Sequence, residues 1–561
     1  GRNVDNACQS IQQPWGLMEA EECVTSSLNL QEQLKYQEAK VGYQRALDLQ
    51  IARLGEEHEL VAESLNRLGL VAGILGNYTE AERLHARALD ISRGCLGDEH
   101  QYTATCLGYL GVTMRRLGRL SKAEENCTRA LMIRTQELGA NHPDLAQSLN
   151  DLGDVMFDLV KLPKAKECFV KALAIGNDNA TTEAARSLFG IGLVMSLQCV
   201  FSEAEGHLHR SLEIRKQVLG DFHPHVAQSL CGLANVVISN FVFVGKGDLS
   251  QASKFANMAL GMTKQIFGPD HPAVARDLFF LGYAMLLQNK LPEAEACHDR
   301  ALAIFKHAFG DIDRHVASCL MMGAAVKMGQ RNISEAVEFC ADALTIGIQA
   351  FGGDDHLVIG SCLLAMGSSL HQQGKHHEAA QHLSRALAIV QQVLGDNHLL
   401  VSTILHDLGE VMYCEEKYPE AKEYHSRALA IRKQALGEDH MNIATILHSL
   451  GMVAYEQGRY LEAEENHSRA LAIRTQALGE VHEDVAMSLY NLGCAVHQQG
   501  KTADAVRLLK KCVAIEKQVL GDDHKNVAFK LRQLEMMKAQ QGLGFARLKM
   551  MWKFRSTGWI M

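Results

Sequence analysis

One short phrase recurs along almost the whole chain and constrains its fold more than any other feature. It closes with Leu-Gly-x-x-His, and most copies are 42 residues apart, as between His440 and His482. Two further copies are degraded, one within residues 175–184 and one ending at Asp313. A fixed period in this range is the signature of a repeat architecture. The recurring histidines are His58, His100, His142, His223, His271, His356, His398, His440, His482 and His524.

A single period encodes two helices. After His482, four apolar residues have the spacing of one helix face. They are Val485, Leu489, Leu492 and Val496. Gly500 then stands where a left-handed residue would end this helix, and residues 505–519 carry a second apolar stripe. One period therefore predicts a helix hairpin, whose members we call helix A and helix B.

Small residues recur as regularly as the large ones. Helix A carries a glycine such as Gly409, an alanine such as Ala421 follows twelve residues later, and a second alanine such as Ala428 lies seven beyond it. A glycine inside a helix costs roughly 1 kcal/mol relative to alanine. Its repetition predicts that the backbones of helices A and B approach each other closely at this point.

These residues carry a resemblance to a known family. Leu-Gly in helix A, followed by the two alanines in helix B, resembles the tetratricopeptide repeat (TPR). The 42-residue period and the phrase Arg-Ala-Leu-x-Ile…Leu-Gly-x-x-His are most similar to the kinesin light chain and nephrocystin-like subtype. The usual period is 34 residues, so each unit has eight more, or about 12 Å of helix. The resemblance implies an all-α fold, an α-solenoid (superhelix) of about twelve tetratricopeptide-like hairpins.

The repeat also sets the expected domain boundaries. We predict an N-terminal tail at residues 1–18, a TPR array of about twelve 42-residue repeats at 19–541, and a basic amphipathic C-terminal tail at 542–561. As a helix, the last segment would resemble a membrane-surface or calmodulin-target segment; a capping helix or a gene-model artefact is the alternative. Between His223 and His271 the interval grows to 48 residues, which predicts a longer turn around residues 241–249.

Composition excludes several classes of function. The net charge of −9, from 65 acidic and 56 basic residues, argues against nucleic-acid binding, which favours a basic surface. We find no signal peptide, and the most apolar stretch, residues 230–244, is shorter than the roughly 20 residues of a membrane span. Fifteen cysteines without a CxxC pair are typical of buried thiols in a reducing compartment. We therefore expect a cytoplasmic protein without a membrane span.

The sequence offers no support for catalysis. The recurring histidines are one hairpin apart, at least roughly 10 Å, whereas zinc needs bonds of about 2 Å to a common centre. We predict that they cap or bridge backbone groups in the turns. His377 and His382 are five residues apart, not the four of the H-E-x-x-H motif. We find neither a P-loop nor a nucleophile elbow, and expect no enzyme activity, cofactor or metal.

The resemblance implies that helix A lines a concave groove that holds peptide segments. Polar residues near the structural Leu-Gly are then the candidate contacts, and the alternative is a solvated helix face that binds nothing. Asparagine can bond a peptide backbone as donor and acceptor; the arginines would favour an acidic ligand and the carboxylates a basic one. The candidates are Asn66, Arg115, Arg116, Asn150, Asp151, Asp154, His406, Asp407, Glu410, His448, Tyr455, Glu456, Asn491 and His497.

The expected function is a non-catalytic scaffold or adaptor that binds partner proteins through short peptide segments, not nucleic acid. One alternative is a kinesin light chain-like cargo adaptor without its coiled coil. Residues 1–35 hold no sustained heptad, and we expect a stand-alone repeat protein. The other alternative is the regulatory repeat array of a larger signalling protein or enzyme. The asparagines typical of kinesin light chain repeats match only at Asn66, Asn150 and Asn491, so the resemblance does not specify the ligand.

Overall fold

The structure is a computed structural model that describes residues 2–175, 181–353 and 355–542, with side chains from residue 17 to residue 539. These residues form 25 helices and no strand. The first 24 helices pair as twelve consecutive hairpins, with the odd-numbered helix as helix A and the even-numbered one as helix B. The predicted all-α solenoid of about twelve hairpins is confirmed.

The helix bounds follow the repeat. The A helices are α1 (Arg2–Glu32), α3 (Glu59–Ile74), α5 (Gln101–Arg116), α7 (Leu145–Asp158), α9 (Thr182–Leu197), α11 (Pro224–Val244), α13 (Pro272–Leu287), α15 (Arg314–Gly329), α17 (Leu357–Gln372), α19 (Leu399–Cys414), α21 (Met441–Glu456), α23 (Glu483–Gln498) and α25 (Lys525–Gly542). The B helices are α2 (Tyr36–Leu54), α4 (Tyr78–Leu96), α6 (Leu120–Leu138), α8 (Leu162–Ile175), α10 (Phe201–Leu219), α12 (Leu249–Phe267), α14 (Leu291–Phe309), α16 (Ile333–Phe351), α18 (His376–Leu394), α20 (Tyr418–Leu436), α22 (Tyr460–Leu478) and α24 (Thr502–Leu520).

The recurring histidines cap the A helices. At α23 the backbone N–H of Asp484 donates to His482 Nδ1 at 3.1 Å, which satisfies one of the N–H groups that a helix N-terminus leaves unpaired. In the degraded copies Asp313 and Thr181 make the equivalent cap. The predicted capping role is confirmed. The same bond is made by His58, His100, His142, His223, His271, His356, His398, His440 and His524.

The structural glycines make room for a side chain. A Cβ on Gly409 would lie 2.4 Å from the ring of His425, and one on Gly451 would lie 2.5 Å from His467. At these two glycines the contact is with the side chain of the residue sixteen positions later on helix B. In other hairpins the same position is held by His85, Cys127, Phe169, Leu208, His298 and Leu509. A Cβ on Gly111 or Gly192 would also lie 3.3 Å from the backbone nitrogen of Cys127 or 3.1 Å from the carbonyl oxygen of Ala204, so the predicted close approach of the two backbones is confirmed there.

Contacts group the chain into two units, Gly1–Ser369 and Leu370–Met561, which we call the N-terminal unit and the C-terminal unit. In each, successive A helices contact one another, and the described B helices make no comparable contacts among themselves. A solenoid curves toward the side on which its helices are closer. The A helices therefore form the inner wall of each unit.

The N-terminal unit also has contacts between successive turns. The Nε2–H of His271 donates to the carbonyl of Ile74 at 2.9 Å, and that of His356 donates to the carbonyl of Asp158 at 3.1 Å. Arg314 donates to the carbonyl of Arg115 at 3.3 Å. Each of these turn contacts joins the start of an A helix to the end of the A helix five hairpins earlier. The unit therefore completes one turn in five hairpins.

Ring stacking between B helices repeats this interval. Phe267 of α12 stacks on Tyr36 of α2 with 5.8 Å between ring centroids, and Phe309 of α14 stacks on Tyr78 of α4 at 5.6 Å. Both pairs again lie five hairpins apart. The aromatic pairs on the B helices and the hydrogen bonds of the A helices thus fix the same spacing.

The prediction of a longer turn around residues 241–249 was wrong. Helix α11 continues to Val244, so most of the extra residues lengthen this helix, and Phe243 stacks on Phe201 with ring centroids 6.4 Å apart. By length and composition α11 could cross a membrane, and in the fold most of it is buried against neighbouring helices.

Three other predicted segments lie at or beyond the edges of the described residues. Residues 2–18, the predicted N-terminal tail, are part of α1. Residues 176–180 of the degraded fourth copy lie outside the described residues, and so do residues 543–561 of the predicted C-terminal tail.

Candidate functional site

A network of ion pairs covers the inner wall of the N-terminal unit. Arg115 on α5 lies 3.1 Å from Asp158 and 3.6 Å from Asp154, both on α7. Arg314 on α15 lies 2.8 Å from the same Asp158 oxygen. Burial would raise the pKa of Asp158, but the charges of Arg314 and Arg115 outweigh it and hold this pKa at about 2. The sequence-predicted Arg115 and Asp154 are therefore partners of each other.

Arg186 on α9 extends this network to a fourth A helix. Its guanidinium lies 2.6 Å from Asp151 and 2.8 Å from Asp154. The complete network contains three arginines and three aspartates, so its formal charges cancel. Asp151 and Asp154, which the sequence assigned to basic ligand groups, are therefore already paired within the wall.

Arg116 stands beside this network but forms no ion pair with any residue that the structure describes. Its side chain is exposed. The neighbouring charge of Arg115, followed by desolvation, lowers the pKa of Arg116 to about 10. At neutral pH this guanidinium is still charged. It is therefore a positive charge without a carboxylate partner, beside a network whose own charges cancel.

The candidate asparagines of the N-terminal unit are buried and bonded within the array. Asn66 donates to the Tyr102 hydroxyl and to Cys106 Sγ, both at 3.0 Å, and its carbonyl lies 2.9 Å from His85 Nδ1.

Asn150 makes the corresponding contacts two hairpins later. It donates to the backbone carbonyl of Glu183 at 3.1 Å and accepts from the Ser187 hydroxyl at 2.8 Å. The sequence placed both asparagines in the groove, but in the structure their amides hold successive hairpins together and are not available to a peptide.

Neutral histidines replace the charges in the C-terminal unit. His406 Nδ1 lies 3.3 Å from His425 Nδ1, and burial lowers the pKa of His406 to about 3 and that of His425 to about 4. One hairpin later the ring of His448 lies 5.5 Å from that of His467, and burial lowers the pKa of His448 to about 4. Asn491 contacts His448 Nδ1 at 3.4 Å.

The remaining candidates of this unit differ in exposure. Glu410 accepts a hydrogen bond from the Ser449 hydroxyl at 2.5 Å, and burial raises its pKa. Tyr455 accepts from Gln498 at 3.2 Å. His497 lies 3.5 Å from the Thr502 hydroxyl. Asp407 is half-buried.

Glu456 is the exposed candidate of this unit. Burial and the charge of Glu416 raise its pKa. No hydrogen bond or ion pair joins it to another residue within the described ranges.

Sequence reasoning missed several residues of these walls. Asp158 stands five residues after Gly153, the same position that the candidate Arg116 has relative to Gly111. Arg186 stands six residues before Gly192, a position with no candidate from the sequence. Arg314 could not be found from one period, because its contact with Asp158 crosses a superhelical turn. A cluster of His371, His376 and Cys414 was also missed.

The family comparison agrees with this architecture. Models described as "Tetratricopeptide repeat" match residues 61–131, 109–178, 241–307, 321–389, 359–434, 403–473 and 442–518, and a further one matches residues 200–225. Together they cover more than half of the chain. The chain belongs to the tetratricopeptide repeat family. The predicted resemblance is confirmed, and the chain is a repeat scaffold of the protein-interaction class.

Several solved structures are similar to this chain. A putative kinesin light chain of Podosopora anserina with nearly identical TPR-like repeats has 21% identity and a TM-score of 0.33 over 36% of this chain and 96% of that one. BtubC (BKLC) from P. vanneervenii has 20% identity and a TM-score of 0.37 over 42% and 92%. A Rap protein complexed with competence and sporulation factor has 16% identity and a TM-score of 0.42 over 64% and 99%. A search of curated proteins found no match.

Proposed function

We propose that this protein is a non-catalytic scaffold whose N-terminal unit binds an acidic segment of a partner protein at Arg116. The observation that carries the proposal is the exposed, unpaired guanidinium on the inner wall. An anionic group is the natural complement of a cation whose own neighbours are already paired.

The surrounding ion pairs support an acidic ligand over a basic one. Asp151, Asp154 and Asp158 each have an arginine partner, so a basic ligand would have to break an existing pair before it gained a new one. An acidic side chain at Arg116 needs no such exchange. It would also offset the repulsion between Arg116 and Arg115 that lowers the pKa of Arg116.

The sealed turns support entry of the partner along the inner wall. The turn contacts at His271, Arg314 and His356 close the gap between successive turns of the N-terminal unit. A folded domain could not pass between these turns to reach Arg116. An extended segment, which needs only the width of one chain, fits this arrangement better.

We also propose a reducing, cytoplasmic location. The fourteen cysteines whose side chains the structure describes are all free thiols, and free thiols are the rule in compartments that keep cysteine reduced. Fractionation of cells that express the chain would test this assignment.

Proximity labelling with the full chain would identify partners, and pulldown with Arg116→Glu would test the site. Arg83→Glu is the matched control, because Arg83 is an exposed arginine on the B helix α4 and makes the same change of charge away from the inner wall. We expect partners with acidic segments to be lost with Arg116→Glu and retained with Arg83→Glu. Equal recovery of every partner by both variants would refute the proposed site.

A further inference from the structure

A second feature lies outside the proposed ligand site, in the C-terminal unit. His371 in the last turn of α17, His376 in the first turn of α18 and Cys414 at the end of α19 come together at one point. One ligand atom from each lies within 4.8 Å of the others. All three side chains are half-buried, so the point is sheltered by protein but open to solvent.

The distance between the two imidazoles matches a metal site. His371 Nδ1 lies 3.2 Å from His376 Nδ1. Two nitrogens bound to one tetrahedral zinc ion with bonds of 2.0–2.1 Å are about 3.4 Å apart. The two rings thus already hold their nitrogens at nearly the separation that a shared ion requires. A hydrogen bond between two neutral imidazoles can also give this distance. The third group of the cluster is therefore needed to distinguish a metal site from a hydrogen-bonded pair.

That third group is a thiol, and its presence distinguishes this hairpin from its neighbours. At the positions of His371, His376 and Cys414, the following hairpin has Tyr413, Tyr418 and Glu456. The two tyrosines there make an edge-to-face ring contact with centroids 5.8 Å apart. The hairpin after that has Tyr455, Tyr460 and Gln498, with the same ring contact at 5.5 Å. The repeat framework therefore needs only two packed rings here, and the fold alone does not require the change to two imidazoles and a thiol.

We propose that His371, His376 and Cys414 form a binding site for a zinc ion, with water as the fourth ligand. Imidazole nitrogen and thiolate sulfur are the donors that zinc prefers, whereas calcium and magnesium take oxygen ligands. Binding requires the neutral form of both imidazoles and the thiolate form of the cysteine. Burial, followed by the charge of His376, lowers the pKa of His371 and favours the neutral ring. Burial, followed by the charge of Glu410, raises the pKa of Cys414, so zinc would have to displace the thiol proton when it binds.

The ion would join two successive hairpins. His371 and His376 belong to the hairpin of α17 and α18, and Cys414 belongs to the next hairpin, that of α19 and α20. A ligand that binds only the folded state stabilises it by a free energy that grows with the logarithm of the ligand concentration relative to its Kd. Zinc would therefore act as a structural link on the inner side of this unit, independently of the acidic-segment site.

A neighbouring cluster is the competing location for a metal. His406, Glu410 and His425 also bring three ligand atoms together. His425, however, is fully buried against Gly409, and Glu410 already accepts a hydrogen bond from Ser449. The same histidine pair recurs one hairpin later as His448 and His467 without a third ligand. We therefore assign this cluster to packing.

The test is titration of the full, reduced, metal-free chain with Co²⁺, followed by competition with Zn²⁺. We expect one equivalent of Co²⁺ to bind with a thiolate-to-metal absorption band, and Zn²⁺ to abolish the band. Cys414→Ser should remove it. His371→Tyr combined with His376→Tyr, which installs the residues of the next hairpin, should weaken binding by more than about 100-fold, the upper loss typical of second-shell substitutions.

Matched controls separate this site from other thiols and imidazoles. His377→Tyr changes the exposed neighbour of His376, and Cys95→Ser changes an exposed thiol of the N-terminal unit; both should leave the band unchanged. No thiolate band in the intact chain would overturn the proposal, and so would a band that survives Cys414→Ser. Binding without a thiolate band that is lost in His406→Asn would place the ion at the neighbouring cluster and would also overturn it.

Discussion

The two units use one hairpin framework but give their inner walls different chemistry. Four residues after the structural glycine, the hairpin of α5 and α6 in the N-terminal unit has Arg115, and the hairpins of the C-terminal unit have Tyr413, Tyr455 and His497. Arg115 takes part in a charged network, whereas the three residues of the second unit form ring contacts and neutral hydrogen bonds. The framework therefore sets the position of each side chain. The variable residues determine whether ion pairs or neutral contacts join the helices of the wall.

The units also differ in how far their contacts reach. In the N-terminal unit His271 bonds a carbonyl 197 residues earlier, whereas on the inner wall of the C-terminal unit the bond between Asn491 and His448 spans 43 residues and that between Ser449 and Glu410 spans 39. A solenoid held only by neighbouring repeats has a stability that is a sum of local terms. The N-terminal unit departs from that rule, and four substitutions test how much the difference matters.

The largest effect is expected from the charged network. Asp158→Asn should destabilise the N-terminal unit by about 3 kcal/mol, because it leaves the mostly buried Arg115 and Arg314 without their shared carboxylate. Urea denaturation followed by circular dichroism measures this loss. As a control, Glu99→Gln breaks the exposed pair with Arg129 and should cost less than about 0.5 kcal/mol. Equal losses in the two variants would show that the network is not a stabilising feature.

The neutral histidines should make the C-terminal unit sensitive to acid. Burial lowers the pKa of His425 to about 4 in the folded chain, below the ordinary value of 6.5, so its contribution to stability is complete above pH 6.5 and is lost as the pH falls toward 4. At pH 5 the loss is about 2 kcal/mol. Leu383 and Leu509 occupy the equivalent position in other hairpins, so His425→Leu should fold there and lose about 2 kcal/mol less between pH 7 and pH 5.

Urea denaturation at the two pH values measures that difference. The unpaired His406 left by this substitution costs stability at both pH values, so only the change between them is compared. His377→Leu, at an exposed position on α18, is the control and should follow the intact chain. An unchanged pH dependence in His425→Leu would contradict the assignment of a buried neutral ring.

A smaller effect isolates the turn contacts. His271→Ala removes a helix cap and the bond to Ile74, whereas His482→Ala removes the equivalent cap in the C-terminal unit. We expect His271→Ala to cost about 1 kcal/mol more than His482→Ala, the usual net contribution of one hydrogen bond. Hydrogen exchange at the end of α3 should also increase in His271→Ala. Identical costs and unchanged exchange would mean that the turns are not coupled through this bond.

The smallest effect on stability is expected at the proposed ligand site. Arg116→Gln should change the stability of the N-terminal unit by less than about 0.5 kcal/mol, because the side chain is exposed and breaks no ion pair. Thermal unfolding measures this change, and pulldown of the partners in parallel measures binding. A loss of stability comparable to that of Asp158→Asn would assign Arg116 to the network and not to a ligand.

The hairpins and their caps could be predicted from the sequence, because both depend on contacts within one period. The apolar stripes placed the helices, and His482 capped α23 as expected. The environment of Asn66 and Asn150 could not be predicted, since a residue three before the glycine faces either the groove or the next hairpin according to the rotation between them. In the structure that rotation buries both amides.

The partners of the charged candidates depend on still longer distances. Arg314 meets Asp158 only because five hairpins complete one superhelical turn. The sequence of a single repeat does not specify how many hairpins make up a turn. The cluster at Cys414 needs residues from two hairpins and the turn between two helices. Comparing one histidine with its copies in neighbouring repeats therefore does not bring these three residues together.

The turn contacts have a consequence for how this protein can change in length. An array held by neighbours alone can gain or lose a whole repeat with little harm, since every junction is the same. In the N-terminal unit, deleting one hairpin between Asp158 and His271 would bring different partners opposite each other at all three hydrogen bonds at once. The turn contacts therefore fix the number of hairpins between their partners. Duplication or loss of a repeat should be tolerated only outside this part of the array.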